Sequence, residues 1–332
     1  MVDDIKYKET QLIKRLIAEI ESMKDVFKQF KEFSHIEENI RSESVLKSAV
    51  FSARIEGNSL TPDKLRFEGV QRKNEDTARL ECFNLMRAYK LITSGRYPKK
   101  VTLCYINKLH FVAIDKLSPS PGKFRQEPWA IFSQSGAVVY LAPPHTDVPR
   151  LMQDLIKYIN KSPFHCVVKS AFAQYVLEKI HPYADGNGRV GRLVSSLILH
   201  QGGYSFRGLI SFEEDVDANR SSYYEALEPD RDVTIFTEFF LESLVSQIKR
   251  LFPKLQAVQS ESREDLLMPR RREILEIIIE HPYCSFDFLS RRFQRVNPKT
   301  LHHDIKYLQK KNFIEKVGKT RGSLYKSASN RL

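Results

Sequence analysis

Residues 181–192 read HPYADGNGRVGR, and this stretch separates two segments that are typical of α-helices. Residues 165–180, before it, carry apolar side chains at four-residue intervals, and residues 188–200, after it, carry a second apolar stripe. Because the residue before a proline avoids helical backbone, Pro182 ends the first helix and leaves His181 at its C-terminal end. The sequence therefore predicts two helices joined by a short loop that begins at His181.

Two glycines in this loop predict an anion-binding backbone. Gly186 and Gly188 bracket Asn187, and glycine readily adopts the positive φ angles that turn backbone N–H groups inward. The second helix is predicted to begin at about Gly188, where free N–H groups and the positive end of the helix dipole favour a phosphate. We therefore expect the loop to bind phosphate groups.

Four charged or titratable side chains accompany the loop. Arg189 and Arg192 lie near the start of the second helix, and guanidinium groups there can hold phosphate oxygens. Asp185 suits a Mg²⁺ ion that bridges phosphate oxygens. His181 suits proton abstraction near neutral pH, because the unperturbed pKa of histidine is about 6.5. Together they predict nucleotidyl transfer, and the alternative is an ordinary helix–loop–helix corner.

The loop resembles the signature of the Fic (Fido) family, H-P-F-x-[D/E]-G-N-G-R-x-x-R. It departs from that signature at Tyr183, which keeps an aromatic ring in place of phenylalanine. The resemblance extends over roughly residues 40–230. Upstream, residues 122–125 read GKFR and are similar to the family's G-x-[FY]-R. Downstream, residues 219–220 and 223–224 are similar to a later part of the family's pattern.

The resemblance implies a mainly α fold, with a Fic-type helical core and a β-hairpin flap that aligns a target segment as an added strand. It also implies an enzyme that moves AMP from ATP to a Ser, Thr or Tyr hydroxyl of a protein, with Mg²⁺ as cofactor. His181 would be the catalytic base, and Asp185 would hold the metal. The nucleotide-binding residues would be Gly186, Asn187, Gly188, Arg189 and Arg192.

Residues 52–58 read SARIEGN and resemble the family's inhibitory motif, [S/T]-x-x-x-E-[G/N]. A helix predicted over about 44–57 ends near Gly57, which places Glu56 at its C-terminal end. The resemblance implies that Glu56 pairs with Arg192 and so blocks productive ATP binding. The alternatives are a surface glutamate before a helix-capping glycine and a glutamate that positions water to remove AMP from a modified target.

The whole chain divides into four parts by its pattern. Residues 1–95 predict an N-terminal helical region that includes the inhibitory helix, and residues 96–256 predict the catalytic core with the helices that follow it. Residues 257–265 are polar and predict a linker, and residues 266–332 predict a separate domain. Within the core, residues 128–142 place short apolar runs around a Ser-Gln-Ser-Gly cluster, which predicts a β-hairpin.

Residues 264–332 hold 15 Lys and Arg against 8 Asp and Glu, in a chain whose net charge is +12. This excess predicts a polyanion partner. The pattern of three helices and two strands resembles a winged helix-turn-helix, which either contacts DNA or serves as a protein-docking or dimerisation module. The predicted DNA contacts are Lys299, Thr300, His302, His303 and Lys306 on the third helix and Arg321 on the wing.

The composition argues against a membrane protein and against a disulfide-stapled domain. No stretch reaches the roughly 18 apolar residues of a membrane span, the N-terminus has no secretory pattern, and the four cysteines form no C-x-x-C pair. A soluble, cytoplasmic protein without a membrane partner is predicted. The oligomeric state, with a homodimer as one choice, and self-modification stay open. So do two other functions, a nucleotide-sensing DNA-binding transcriptional regulator and a Fic enzyme with another nucleotide donor.

Overall fold

The computed structural model is mainly α-helical, as the sequence pattern predicted, and its contacts divide the chain into the compact units Met1–Leu255 and Gln256–Leu332. Each unit has a hydrophobic core of its own. No helix in the described part of the chain is long and apolar enough to cross a lipid bilayer. The described residues are 2–30, 34–67, 73–132, 138–260, 267–318 and 323–328.

The first unit is built from helices and one β-hairpin. Its helices are α1 (Gln11–Lys28), α2 (Ser34–Ile55), α3 (Pro62–Phe67), α4 (Lys73–Thr93), α5 (Leu103–Ala113), α6 (Val148–Lys161), α7 (Cys166–Ile180), α8 (Asn187–Gln201), α9 (Phe212–Ala218), α10 (Arg220–Leu227) and α11 (Thr234–Ser260). Strands β1 (Ala130–Phe132) and β2 (Val138–Leu141) pair antiparallel, as predicted, with Ile131 opposite Tyr140. The Ser-Gln-Ser-Gly turn between them, residues 133–136, lies outside the described residues.

Helices α7 and α8 form the centre of this unit and pack against each other. Helix α7 is buried on nearly every side, which explains why its sequence is apolar well beyond a single stripe. Helix α2 packs against α4 and α9, and α5 packs against α4 and α8. Helix α2 also contacts α8, which places the SARIEGN segment at the end of α2 beside the helix that carries the last part of the HPYADGNGRVGR stretch.

Three boundaries differ from the sequence predictions. Helix α2 begins at Ser34, not near residue 44, because Glu37 in its first turn is buried and pairs with Arg207 at 3.0 Å. Helix α8 begins one residue early, at Asn187. The predicted linker over 257–265 is helical in its first part, since α11 runs to Ser260 and residues 257–260 include no Gly or Pro that would end the helix. The rest of that linker lies outside the described residues.

The second unit has the order helix, strand, two helices and a strand pair. Its elements are α12 (Pro269–Glu280), β3 (Cys284–Ser285), α13 (Phe286–Arg292), α14 (Pro298–Lys310), β4 (Ile314–Val317) and β5 (Leu324–Ser327). The three strands form an antiparallel sheet in the order β3-β5-β4. The two-residue strand β3 was not predicted, because it is too short to produce an alternating pattern. This is the element order expected of a winged helix-turn-helix.

Helix α14 is anchored through its only acidic residue. Asp304 is buried and accepts hydrogen bonds from Arg270 (2.6 Å) and Arg271 (2.8 Å) of α12. Burial alone would raise the pKa of Asp304, but these two arginines outweigh it and hold the pKa below its ordinary value. The acidic side chain of α14 thus faces the core of the unit.

Candidate active site

The loop between α7 and α8 is shaped by two residues with positive φ. His181 adopts φ 49° and ψ 59° at the C-terminal cap of α7, where its N–H donates to Leu177 O at 2.9 Å. Gly186 adopts φ 82° at the N-terminal cap of α8. The chain therefore turns twice within six residues, and the second turn exposes the start of α8.

Asn187 closes this loop with its side chain. Its Oδ1 accepts from the Tyr183 N–H at 2.9 Å, and its Nδ2 donates to Tyr183 O at 2.8 Å. The first hydrogen bond within α8 runs from the Val190 N–H to Gly186 O, so the N–H groups of residues 187–189 have no acceptor inside the helix. Any phosphate contact from Asn187 would therefore come from its backbone.

His110 supports the loop from α5, and the sequence analysis missed it. Its ring stacks on Tyr183 with centroids 3.6 Å apart, and its Nε2 lies 3.0 Å from Asp185 O. The Gly122 N–H donates to Nδ1 at 2.8 Å, so the proton of the neutral ring sits on Nε2 and is donated to Asp185 O. The Tyr183 hydroxyl donates to Asn107 Oδ1 at 2.7 Å, which gives the tyrosine a partner that phenylalanine would lack.

Arg125, from the GKFR stretch, joins the flap to the loop. Its Nε donates to His181 O at 2.7 Å, and its Nη2 donates to Pro143 O at 2.5 Å. The side chain is buried and so caps the carbonyl end of α7 with a positive charge. The Tyr140 hydroxyl on β2 adds a second link, to Lys179 O.

Trp129 packs directly on the histidine. Its ring lies against that of His181, with centroids 3.4 Å apart. Burial lowers the pKa of His181 to about 4, against an ordinary value of 6.5. The imidazole is therefore neutral at pH 7 and able to accept a proton.

A cavity of about 1030 Å³ opens beside this histidine. His181, Asp185 and the glycine loop line one part of it, and Trp129 and β2 line another. Arg189 and Arg192, which we expected to hold phosphate, do not line the cavity in this state. Both side chains are buried and paired, Arg189 with two carboxylates and Arg192 with one, which the helical pattern alone did not predict.

The fully buried Arg192 binds the end of α2. Its Nη2 donates to Glu56 Oε1 at 2.8 Å and to Ser52 O at 2.9 Å, and its Nε donates to Ser52 Oγ at 2.9 Å. Burial acts to lower the pKa of Arg192, but the Glu56 carboxylate outweighs it and raises the pKa above its ordinary value. The structure thus brings together the two residues of the predicted inhibitory pair.

Glu56 also occupies the space over the first turn of α8. A Cβ atom at Gly188 would lie 2.3 Å from Glu56 Oε1 and 3.1 Å from Glu178 Oε1. Any side chain at this position would displace the carboxylate, which sits where the dipole of α8 favours an anion. Burial and the neighbouring Glu56 raise the pKa of Glu178 to about 8, so this second carboxyl is mostly protonated at pH 7.

Asp185 is half-exposed at the cavity, and its Oδ1 accepts from Arg189 at 2.6 Å. No group of three or more His, Cys, Asp or Glu side chains in the described ranges is arranged to hold a metal ion. A Mg²⁺ ion therefore fits here only in the mode that uses one protein carboxylate and takes its other ligands from phosphates and water.

The predicted DNA contacts lie on α14. Lys299, Thr300, His303 and Lys306 are exposed. His302 is also exposed, and its ring stacks on Phe286 of α13 with centroids 3.8 Å apart. Arg321 lies outside the described residues.

The family profile described as Fic/DOC matches residues 100–199, which include the flap, α7 and most of α8. The chain therefore carries a domain of the Fic/DOC family. It is 26% identical over 284 residues to the protein adenylyltransferase Fic of Drosophila persimilis, covering 79% of this chain and 54% of the relative. The Drosophila melanogaster protein of the same name is 26% identical over 276 residues, with 77% and 54% covered. The chain thus spans about half the length of these curated relatives.

Solved structures share this fold. A Fic family protein from Desulfovibrio desulfuricans G20 superposes with a TM-score of 0.67 and 22% identity, covering 98% of each chain. Residues 134–508 of Fic-1 from C. elegans superpose with a TM-score of 0.62 and 18% identity, covering 74% of this chain and 73% of that one. At these identities the likeness establishes the fold alone.

We expect both site histidines to stay neutral well below pH 6.5. Burial lowers the pKa of His110 and of His181 to about 4, and protonating His110 would also break its bond from the Gly122 N–H. Because the unfolded chain binds these protons more readily, the free energy of unfolding should fall as the pH drops from 6.5 towards 4. The NMR signals of the ¹³C-labelled imidazole rings, assigned with His110→Gln and His181→Ala, should not move between pH 8 and pH 5.5. A titration midpoint near pH 6.5 for either ring would contradict the burial argument.

Proposed function

We propose that this chain is a protein adenylyltransferase that moves AMP from ATP to a hydroxyl side chain of a protein target. The observation that carries the proposal is a neutral His181 in the wall of the same cavity that Gly186 and the start of α8 line. A base and an anion site in one cavity are what the attack of a hydroxyl on phosphorus requires. The names of the Drosophila relatives support this choice.

In the proposed reaction the target hydroxyl oxygen attacks the α-phosphorus of ATP. The new oxygen–phosphorus bond forms as the bond to the β-phosphate oxygen breaks, so that pyrophosphate leaves. His181 accepts the hydroxyl proton, and Trp129 and the Arg125 bond to His181 O hold the imidazole in place. The backbone N–H groups at the start of α8 bind phosphate oxygens.

A Mg²⁺ ion would be held by Asp185 together with the phosphates, and it would neutralise charge on them when bound. Arg189 binds only Oδ1 of Asp185, so the ion would be held by Oδ2 or would share Oδ1 with the guanidinium. The exposed edge of the flap supports a protein as the acceptor. Leu141 of β2 lines the cavity and is 65% exposed, as a strand that pairs with a target segment would be.

Glu56 is proposed to act as a brake. Its carboxylate holds Arg192 and lies over Gly188, so the guanidinium and the start of α8 are both occupied by an anion that belongs to the chain. A triphosphate has to displace this carboxylate before Arg192 can bind it. The same position would let Glu56 orient water for removal of AMP from a modified target.

Glu56→Gly should raise transfer, because it frees Arg192 and the start of α8. Glu56 follows the last residue of α2, so glycine costs little helix stability there. The variant is incubated with ATP and Mg²⁺, with cell extract as target, and the added mass is measured on the chain and on labelled proteins. We expect at least about tenfold more labelling than in wild type, and a loss of about 10²–10⁴-fold when His181→Ala is added, as for removal of a general base.

The matched control is Glu43→Gln, which neutralises a carboxylate of α2 that pairs with Arg66 and should leave labelling unchanged. A mass increase that matches another nucleotide would identify a different donor and would leave the proposed mechanism unchanged. Equal labelling with and without His181 would reject the base. Absence of labelling in every variant would favour another nucleotide donor or a nucleotide-sensing regulator. Unchanged labelling in Glu56→Gly would reject the brake.

We propose further that the C-terminal unit binds DNA through α14. Lys299, His303 and Lys306 recur at helical spacing on the exposed face of this helix, and the only acidic residue of α14 is turned inward and neutralised by two arginines. A basic helix face of this kind suits the major groove and the phosphates beside it.

Lys299→Ala and Lys306→Ala should weaken binding to a random-sequence duplex, measured by fluorescence anisotropy over a range of salt concentrations. Each lost phosphate contact should reduce the slope of log affinity against log salt by about 1. Lys100→Ala, an exposed lysine of the first unit, is matched in charge and should leave the slope unchanged. A winged helix that docks on protein would show no binding in any variant.

A further inference from the structure

The Arg189 guanidinium forms ion pairs with two carboxylates that come from different parts of the fold. Its Nη1 donates to Glu81 Oε1 at 2.5 Å, and its Nη2 donates to Asp185 Oδ1 at 2.6 Å. Glu81 lies on α4, more than 100 residues from the loop, whereas Asp185 lies in the loop itself. The arginine side chain is almost fully buried, so these two anions supply its neutralising charge.

The two carboxylates differ in how firmly they are held. The Glu81 side chain is 16% exposed, and that of Asp185 is 51% exposed at the cavity. Asp185 can therefore exchange its partner for a solvent ion or a ligand at lower desolvation cost than Glu81 can. Glu81 is therefore the carboxylate that stays bound to Arg189, and Asp185 is the one that can exchange Arg189 for another partner.

Glu81 also holds the turn that follows the brake. Its Oε2 accepts from Asn58 Nδ2 at 2.8 Å, while its Oε1 serves Arg189. Asn58 lies two residues after Glu56, across Gly57, which has a φ of 101°. The Glu81 carboxylate thus links the turn after Glu56 to Arg189. Arg189 in turn binds Asp185 of the phosphate loop.

We propose that Glu81 is a positioning residue that sets how tightly Arg189 holds Asp185, and that it couples the turn after Glu56 to the phosphate loop. This inference rests on the proposed function, because it concerns the nucleotide and metal ion bound at the same site. While Glu81 is charged, Arg189 satisfies two anions and holds each of them less tightly. Without that charge, Arg189 pairs with Asp185 alone, and Asp185 becomes a poorer ligand for Mg²⁺.

The first test measures the binding of α,β-methylene ATP, which cannot transfer AMP, by calorimetry with Mg²⁺ and with EDTA. The parent is Glu56→Gly, and the variant adds Glu81→Gln. We expect the gain in affinity that Mg²⁺ provides to shrink by about fivefold or more in the variant, roughly 1 kcal/mol of coupling. A merely structural role for Glu81 would weaken binding equally with and without the ion.

The matched control is Asp115→Asn, which removes the carboxylate that pairs with a different arginine, Arg87 of α4. This variant should keep the parent's Mg²⁺ effect. Glu81→Asp retains the charge and should keep most of that effect, which also guards against a variant that does not fold. An equal Mg²⁺ effect in Glu81→Gln and in the parent overturns this inference alone. Absence of nucleotide binding by the parent overturns the proposed function together with it.

The second test concerns the link to the brake. With Glu56 intact, Asn58→Ala should increase labelling several-fold, because the turn after Glu56 loses its bonds to Glu81 Oε2 and Ala78 O of α4, together with the bond from the Leu60 N–H. In the Glu56→Gly background the same substitution should have no such effect. Asn39→Ala, an exposed asparagine of α2, is the control. An equal effect of Asn58→Ala in both backgrounds, or none in either, overturns the coupling.

Discussion

The positive charge of Arg192, which is buried away from solvent, constrains how several elements of this structure pack. Arg192 is fully buried, and a buried charge is tolerated only with a close partner and satisfied hydrogen bonds. Ser52 and Glu56 supply them, so α2 must lie against α8 with its C-terminal end in register. Under the proposed function, the same requirement would allow the Glu56 brake to be released, since another anion at the guanidinium would also neutralise the buried charge. A triphosphate is such an anion.

His181, the proposed base, depends on contacts from distant parts of the sequence. His181 holds a left-handed backbone conformation, and Arg125 binds its carbonyl group while Trp129 covers its ring. Below it, His110 stacks on Tyr183 and binds the carbonyl of Asp185. These supports exclude water from one side of the site and keep the imidazole neutral. They also connect the flap to the loop, so in the proposed reaction the position of a bound target segment would be tied to that of His181.

The local motifs could be predicted from the sequence because they depend on neighbouring residues. Pro182 ends α7, Gly186 permits the left-handed turn, and the apolar spacing of α7 and α8 sets their helical form. The hairpin followed from short apolar runs around a turn cluster. The elements of the C-terminal unit, except for the two-residue β3, followed from the spacing of apolar residues and from glycines at a turn. Helix ends were less certain, as for α2, because a buried ion pair such as Glu37–Arg207 extends a helix without any local signal.

The sequence by itself determined the family motif, the two helices around it and the residue types that a nucleotide site needs. Only the tertiary structure decided which of those residues are free. Arg189 and Arg192 look alike in the motif, yet one is shared between Glu81 and Asp185 and the other is held by Glu56. Their carboxylate partners Glu81 and Glu56 come from α4 and the end of α2, more than 100 residues away, and nothing in the spacing of the motif specifies them. Pairing of buried charges is a property of the packed fold, because burial is what makes a partner necessary.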